Sequence, residues 1–186
     1  LMRIISGRYK GTKLLLPPND LIRPTSDRAK EMVFSTLNSI LSRKKLRFND
    51  MKVLDFFCGT GGLGIECISR GFKKVCFIDN SKIAIDLTKK NLYLIGAQKF
   101  AEIYHSDFRK LEFIQFKADI FFLDPPYNKF KIPEILGSIR NAGLIKNKSI
   151  GVIELPKSIV ENELDFLKII KEKKVSNSLF LFIETK

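Results

Sequence analysis

Tryptophan is absent from the sequence, histidine occurs once, and cysteine occurs only three times. The cysteines (Cys58, Cys67 and Cys76) are odd in number and lack the spacing of metal ligands, so we expect free thiols in a cytoplasmic protein. His105, the single histidine, has no histidine or cysteine close to it in the sequence, and we expect no metal site. Long apolar runs are also missing. None approaches the ~20 residues of a membrane-spanning helix, so we expect no membrane partner.

Acidic residues are scarce relative to basic ones. The chain carries 33 Lys and Arg against 20 Asp and Glu, a net charge of +13, which indicates a polyanionic partner. A surplus of lysine can also reflect the nucleotide bias of a genome, so the arginines are more informative, and four of them lie within residues 1–30. The basic residues of that region are Arg3, Arg8, Lys10, Lys13, Arg23, Arg28 and Lys30. We expect the region to contact RNA, with these residues binding it: Arg3, Arg8, Lys10, Arg23 and Arg28.

Apolar side chains are abundant. They make up 45% of the 186 residues and include 16 Phe, which is enough for the core of one domain. From residue 51 onward, apolar runs of strand length alternate with helical periodicities, as in an α/β protein with a parallel sheet. The expected strands are 53–57, 75–78, 102–104, 119–123 and 149–155. Two late runs, 167–174 and 178–184, predict a closing antiparallel hairpin.

The N-terminal part has a different pattern. Two β-prone runs flank Gly7 and Gly11, which predicts a small basic hairpin. A Pro-Pro break follows it, and then a helix whose first turn Ser26 or Asp27 can cap. We therefore expect a basic β-hairpin extension at 1–22 and the main domain at 23–186.

A glycine-rich turn follows the first strand of the main domain. Gly59, Gly61 and Gly64 leave this turn without side chains, so a ligand can lie against its backbone. Their spacing, with Asp79 20 residues after Gly59, also fits a dinucleotide site, and a nicotinamide enzyme remains an alternative on this motif alone. Asp55, at the end of the strand, would repel a pyrophosphate. It favours a cationic ligand such as S-adenosylmethionine.

Four aspartates, Asp55, Asp79, Asp107 and Asp124, fall at or just after the ends of successive strands. The carboxyl ends of parallel strands meet at one edge of the sheet, where ligands bind in such folds. The sequence therefore predicts that these carboxylates surround one site.

Asp124-Pro125-Pro126-Tyr127 is the most specific motif. Two successive prolines remove two backbone donors and fix two φ angles, so the Asp124 carboxylate and the Pro125 carbonyl are rigid acceptors. They suit a planar exocyclic amine, whose two N–H groups can donate to them, and Tyr127 offers a flat face on which a base can stack. The motif predicts transfer to the amine of a nucleobase.

The glycine loop, the acid after the second strand and the Asp-Pro-Pro-Tyr motif resemble the class I S-adenosylmethionine-dependent methyltransferases. Arg-Ile-Ile-Ser-Gly-Arg-Tyr-Lys-Gly near the start and Arg-Pro-Thr-Ser-Asp-Arg-Ala-Lys-Glu after it resemble one family in particular, the RsmD-type 16S ribosomal RNA (guanine-N2) methyltransferases of bacteria. This resemblance covers nearly the whole chain. It implies a Rossmann-like class I methyltransferase fold, a mostly parallel seven-stranded sheet flanked by helices.

The resemblance also implies a cofactor site. The matching residues are Asp55, Cys58, Gly59, Gly61, Asp79, Asn80, Asp107, Phe108 and Thr25. Among them, Asp79 would accept hydrogen bonds from the ribose, and Asp107 with the Phe108 backbone would recognise the adenine. The family commonly has Glu where this chain has Asp79, and the shorter acid should still reach the ribose.

The catalytic residues implied are Asp124, Pro125, Pro126 and Tyr127. They would direct a methyl group from S-adenosylmethionine to the N2 amine of a guanine in 16S ribosomal RNA, by resemblance guanine 966. We expect a monomer acting on RNA within a small-subunit particle. An adenine-N6 methyltransferase of DNA or RNA is the alternative enzyme, and a basic RNA-binding module is the alternative without catalysis.

Overall fold

The computed structural model describes residues 2–17, 24–126, 130–158 and 167–186. Its helices are α1 (Asp27–Arg43), α2 (Gly62–Ser69), α3 (Lys82–Leu94) and α4 (Ile132–Asn141). Its strands are β1 (Met2–Arg3), β2 (Lys13–Leu14), β3 (Lys52–Phe56), β4 (Lys74–Asp79), β5 (Ala101–His105), β6 (Ala118–Leu123), β7 (Ile145–Pro156), β8 (Lys168–Val175) and β9 (Ser178–Glu184). The strands and helices expected from the sequence are present, with ends that differ by a few residues.

The main sheet has seven strands in the order β5-β4-β3-β6-β7-β9-β8. Strands β3 to β7 are parallel to one another, whereas β9 is antiparallel to β7 and β8 is antiparallel to β9. The predicted fold class is therefore confirmed. Since β4 lies on one side of β3 and β6 on the other, the strand order reverses at β3, and ligands bind at the carboxyl ends beside such a reversal.

Strand β3 is buried on both faces, as its nearly continuous apolar run predicts. Val53 packs in a core that includes side chains of α1, α2 and α3. Leu54 and Phe56 point the other way, into a second core that includes the buried face of α4. Because side chains alternate along a strand, Asp55 lies on the same face as Val53, towards α2.

The helix caps follow the sequence signals. Ser26 precedes α1, and its hydroxyl accepts a hydrogen bond from the Ala29 N–H at 3.2 Å. Ser81 caps α3 in the same way through the Ala84 N–H at 3.3 Å. In the described part of the chain, none of the helices is both long enough and apolar enough to cross a bilayer.

The N-terminal extension contains the predicted antiparallel pair, β1 with β2, and it is tied to α2. The Glu66 carboxylate, fully buried, accepts the backbone N–H groups of Ile5 and Ser6, each at 2.9 Å. Gly7 lies so close to α2 that a Cβ there would come within 1.9 Å of the Ser69 carbonyl oxygen. The extension is thus a fixed layer on α2. The predicted boundary at 22/23 lies outside the described residues and stays a prediction.

Candidate active site

A cavity of about 730 Å³ opens at the carboxyl ends of β3, β4, β6 and β7, between the start of α1 and the turn joining β8 to β9. Four carboxylates line it, those of Asp55, Asp79, Asp124 and Glu154. Among the described residues that line the cavity there is no lysine, arginine or histidine. In a chain with a net charge of +13, this concentration of acids favours a cationic ligand.

Asp55 is the most deeply placed of these acids, with 3% of its surface exposed. Its Oδ2 accepts the backbone N–H of Gly64 at 2.9 Å, so it also braces the start of α2. Its pKa is raised from 3.8 to about 7, chiefly by burial and also by the negative charges of Asp79 and Asp124, while the Gly64 hydrogen bond opposes the shift. A positively charged ligand in the cavity would favour the ionised carboxylate.

The backbone of the glycine loop is held from two directions. The Gly59 N–H donates to Oδ2 of Asp79 at 2.9 Å, and the Gly59 carbonyl accepts from the Thr88 hydroxyl at 3.2 Å. Gly59 has a φ of +54° and Gly61 one of +76°, both in the left-handed region. The loop therefore has a fixed shape in which Gly59 lines the cavity.

The other two glycines make room for close packing, and the predicted contact of Gly61 with the cofactor stays a prediction. A Cβ on Gly61 would lie 2.9 Å from Cγ2 of Thr88, so this glycine makes room for α3. A Cβ on Gly64, which lies inside α2, would lie 2.2 Å from the ring of Phe77. Neither glycine is among the residues lining the cavity, although Thr60 and Gly62 between them are.

Asn91, fully buried in α3, links the N-terminal extension to the glycine loop. Its Oδ1 accepts the Leu15 N–H at 2.7 Å, and its Nδ2 donates to the carbonyls of Leu15 and Thr60, each at 3.2 Å. One side chain therefore satisfies three backbone groups of two separate segments.

Asp79 and Asn80 lie where the sequence predicts. Both line the cavity at the end of β4. Besides the Gly59 N–H, the Asp79 carboxylate accepts the Ser81 N–H at 2.8 Å, so two backbone donors fix its orientation. Cys58 and Thr25, also predicted to contact the cofactor, line the cavity as well. All three cysteines are buried and free.

Asp107 and Phe108 lie outside the lining formed by the described residues. The Asp107 carboxylate accepts two hydrogen bonds at 2.8 Å from the guanidinium of Arg109, which lowers its pKa to about 2. Phe108 is buried and packs edge-on against Phe130, with ring centroids 4.8 Å apart. Their predicted role in adenine recognition stays a prediction.

The Asp-Pro-Pro motif directly follows β6. Asp124, Pro125 and Pro126 all line the cavity, with Asp124 half-buried and Pro125 buried. Tyr127, the fourth residue of the motif, lies outside the described residues, so its predicted stacking role stays a prediction.

Four of the predicted RNA-binding residues are described by the structure, and none of these four lines the cavity. Arg8 and Lys10 are exposed at the turn of the N-terminal extension, and Arg28 is exposed on α1. Arg3 is exposed too, and its Nε donates to Asp27 at 2.9 Å. Arg23 lies outside the described residues.

Lys30 does not belong to this basic surface. Only 1% of it is exposed, and its ammonium donates to the Arg3 carbonyl and lies 3.4 Å from Asp27. Lys30, which was counted among the basic residues of the N-terminal region but not among those expected to bind RNA, thus lies on the buried side of α1.

Two parts of the site were missed at the sequence level. Glu154 near the end of β7 lines the cavity, and Ser178 donates to it at 2.6 Å. Its place at the end of a fifth parallel strand, like the four aspartates on earlier strands, is the signal that could have found it. Ser176 and Asn177, in the turn between β8 and β9, also line the cavity. The antiparallel pairing of the last strands places these two residues at the cavity. The residues next to them in the sequence give no indication of this position.

Together, the reversal of strand order at β3, the fixed glycine loop and the acid-lined cavity define a class I methyltransferase. S-adenosylmethionine is the methyl donor of this class. The lining fits it, because its amino and sulfonium groups are cationic and it carries no phosphate that these carboxylates would repel.

Comparison with known proteins identifies the family. A family model described as conserved hypothetical protein 95 matches residues 2–184, and the chain belongs to that family. YlbH of Bacillus subtilis is 33% identical over 168 residues, 85% of this chain and 88% of that protein. "Ribosomal RNA small subunit methyltransferase D" of Escherichia coli K12 is 30% identical over 166 residues, 88% of this chain and 77% of that protein.

Solved structures confirm the fold. The Escherichia coli protein yhhF superimposes with a TM-score of 0.81 at 24% identity, covering 100% of this chain and 98% of its own. The resemblance to the RsmD-type family that the N-terminal motifs indicate is confirmed by these relatives.

Proposed function

We propose that this protein transfers the methyl group of S-adenosylmethionine to the exocyclic N2 amine of a guanine in small-subunit ribosomal RNA. By resemblance, the target is guanine 966 of the 16S RNA. The observation that carries the proposal is the position of Asp124, Pro125 and Pro126 at the end of β6, in the same cavity as Asp55. The name of the Escherichia coli relative supports ribosomal RNA as the substrate.

The chemistry needs alignment more than acid–base catalysis. S-adenosylmethionine supplies a methyl group on a cationic sulfur, which is already strongly electrophilic. The carboxylate of Asp124 and the carbonyl of Pro125 would accept the two N–H groups of the amine, so that its lone pair points along the line of attack. Such alignment can lower the barrier by up to ~10 kcal/mol.

The same two acceptors would stabilise the positive charge that develops on the amine nitrogen as it takes the methyl group from a bound cofactor. The nitrogen would then release one proton to the surrounding water, which leaves the neutral methylated base. A stacked, paired guanine cannot present its amine in this way, so the base must be flipped or come from an exposed loop of the RNA.

Three further expectations follow from the proposed substrate. The basic residues Arg3, Arg8, Lys10, Arg23 and Arg28 would contact RNA. The acceptor would be a small-subunit particle, and the enzyme would act on it in the cytoplasm as a monomer.

The test is methyl transfer from labelled S-adenosylmethionine to unmodified small subunits, to their stripped RNA and to duplex DNA. The products are digested to nucleosides and identified by mass spectrometry. N2-methylguanosine from the subunit or its RNA is the expected result. N6-methyladenosine, or its deoxy form from DNA, would instead identify an adenine-N6 methyltransferase and overturn the proposal.

A further inference from the structure

Strand β8, at the outer edge of the main sheet, is rich in lysine. Its lysines are Lys168, Lys171, Lys173 and Lys174. The register with β9 shows which way they face, because paired residues of antiparallel strands share a face. Lys171 pairs with Phe182 and Lys173 with Phe180, and both phenylalanines belong to the core beneath α1. Lys171 and Lys173 therefore lie on the α1 side of the sheet.

Helix α1 and strand β8 run side by side in opposite directions. At one end, Lys44 after α1 and Lys168 at the start of β8 both pair with the buried carboxylate of Glu184. At the other end, Ser26 before α1 and Ser176 after β8 both line the cavity. The lysines on this face thus form a row along β8, which extends from Glu184 towards the rim of the active site. We name Lys44, Lys168, Lys171 and Lys173 the lysine strip.

The lysine strip carries a net positive charge along its length. Four lysines and one glutamate, Glu184, give a net charge of +3. Lys168 and Lys44 lower the pKa of Glu184 from 4.5 to about 2, so this carboxylate is ionised at neutral pH. The acid of β8 itself, Glu172, pairs with Leu181 and lies on the opposite face of the sheet.

The strip is separate from the basic N-terminal extension. The extension contacts α2 and the start of α1, through Glu66 and Asp27, and α2 packs on β3 and β4. Strand β8, which also contacts α1, is the edge strand beyond β6, β7 and β9. Helix α1 therefore contacts both basic surfaces, and the cavity opens at its N-terminal end. A strand of eight residues spans about 25 Å, enough for several phosphates of an RNA backbone.

We propose that the lysine strip binds the sugar-phosphate backbone of the substrate RNA. The part of the RNA bound there would differ from the part that the N-terminal extension contacts. This inference rests on the proposed function. Lysines on an edge strand also discourage association of one sheet edge with another. That role alone does not account for Lys44, which lies on a different element and extends the same strip.

The test compares two double variants with the same change of charge. Lys171→Gln/Lys173→Gln removes two charges from the strip, and Lys89→Gln/Lys90→Gln removes two from the exposed face of α3. With unmodified small-subunit RNA as acceptor, the first variant should raise KM roughly tenfold with kcat little changed, and it should reduce the slope of log affinity against log salt by about 1.4. The α3 variant should behave like the unaltered protein. Lys171→Arg/Lys173→Arg should do so as well.

Filter binding of the same RNA separates the possible failures. If the unaltered protein binds and methylates the RNA while the strip variant matches the α3 variant in KM and salt slope, the strip proposal is overturned and the proposed function stands. If the strip variant differs only by forming aggregates in gel filtration, edge protection replaces RNA binding. If the unaltered protein neither binds nor methylates ribosomal RNA, both proposals fail together.

Discussion

Asn91 and Leu15, 76 positions apart in the sequence, exchange two hydrogen bonds inside the protein, from the Leu15 N–H to Oδ1 and from Nδ2 to the Leu15 carbonyl. The same amide reaches the Thr60 carbonyl in the glycine loop. A single buried side chain therefore holds the N-terminal extension and the glycine loop in one arrangement.

Replacing Asn91 with alanine should destabilise the protein by about 2–4 kcal/mol, because three backbone groups lose their partner inside the protein. Urea unfolding followed by circular dichroism measures the loss. Asn38→Ala, an exposed position in the middle of α1, is the matched control and should change the free energy of unfolding by less than ~0.5 kcal/mol. Equal effects of the two changes would show that the Asn91 bonds contribute little.

Cofactor binding should depend on pH through Asp55. Its pKa of about 7 in the free protein means that the carboxyl is largely protonated below pH 7. A cationic ligand requires the ionised form, so binding must release a proton. The affinity for S-adenosylmethionine should rise by up to about tenfold per pH unit below pH 7 and level off above pH 8. Isothermal titration calorimetry in buffers of different ionisation enthalpy measures both the affinity and the released proton.

Asp55→Asn is the control for this dependence. Asparagine cannot ionise, so the variant should bind weakly with little change between pH 6 and pH 8. The folding stability of the unaltered protein should fall as the pH rises, whereas its cofactor affinity increases. Since the folded state holds the Asp55 proton more tightly than the unfolded chain, this group lowers stability as pH rises from about 4 to about 7, by up to ~4 kcal/mol in total. That loss should be absent in the variant. A variant with the same pH dependence as the unaltered protein would assign the titration to another group.

Asp124→Asn should abolish most methyl transfer while leaving cofactor affinity within about threefold. The amide retains one acceptor oxygen but loses the negative charge that stabilises the developing cation, and we expect kcat to fall by at least ~100-fold. Single-turnover kinetics with saturating RNA measures this step. Asp86→Asn, on the exposed side of α3, is the matched control. A loss of cofactor binding as large as the loss of kcat would place Asp124 in the cofactor site instead.

Gly61→Ala should lower stability and cofactor affinity together. The φ of +76° costs an alanine about 1–2 kcal/mol, and its Cβ would press against Thr88. Adding Thr88→Ala removes the contact but not the backbone strain, so the double variant should recover part of the loss. A double-mutant cycle on the free energy of unfolding gives the coupling. If the free-energy changes of the two single substitutions simply add in the double variant, the contact with Thr88 contributes nothing to the cost of Gly61→Ala.

The sequence predicts the sheet and the acidic rim because both depend on local patterns. Each parallel strand is an apolar run, and the aspartates follow the runs directly. The packing contacts of Lys30 and Gly61 could not be predicted, because the partner of each residue comes from a distant segment. Lys30 binds the Arg3 carbonyl and Gly61 adjoins Thr88, and neither contact leaves a trace in the residues next to it.

The attachment of the N-terminal extension to α2 has a consequence for the choice of substrate. Glu66 holds the extension on the helix that begins at the glycine loop, so the separation between the backbone of the extension and that loop is fixed. Under the proposed function, the RNA would present a phosphate to the extension and its target base to the cavity at that same separation. A folded RNA can hold this separation before it meets the enzyme, whereas a short flexible oligonucleotide must lose conformational entropy to reach it. We therefore expect the enzyme to select its target by the distance between two parts of a folded RNA.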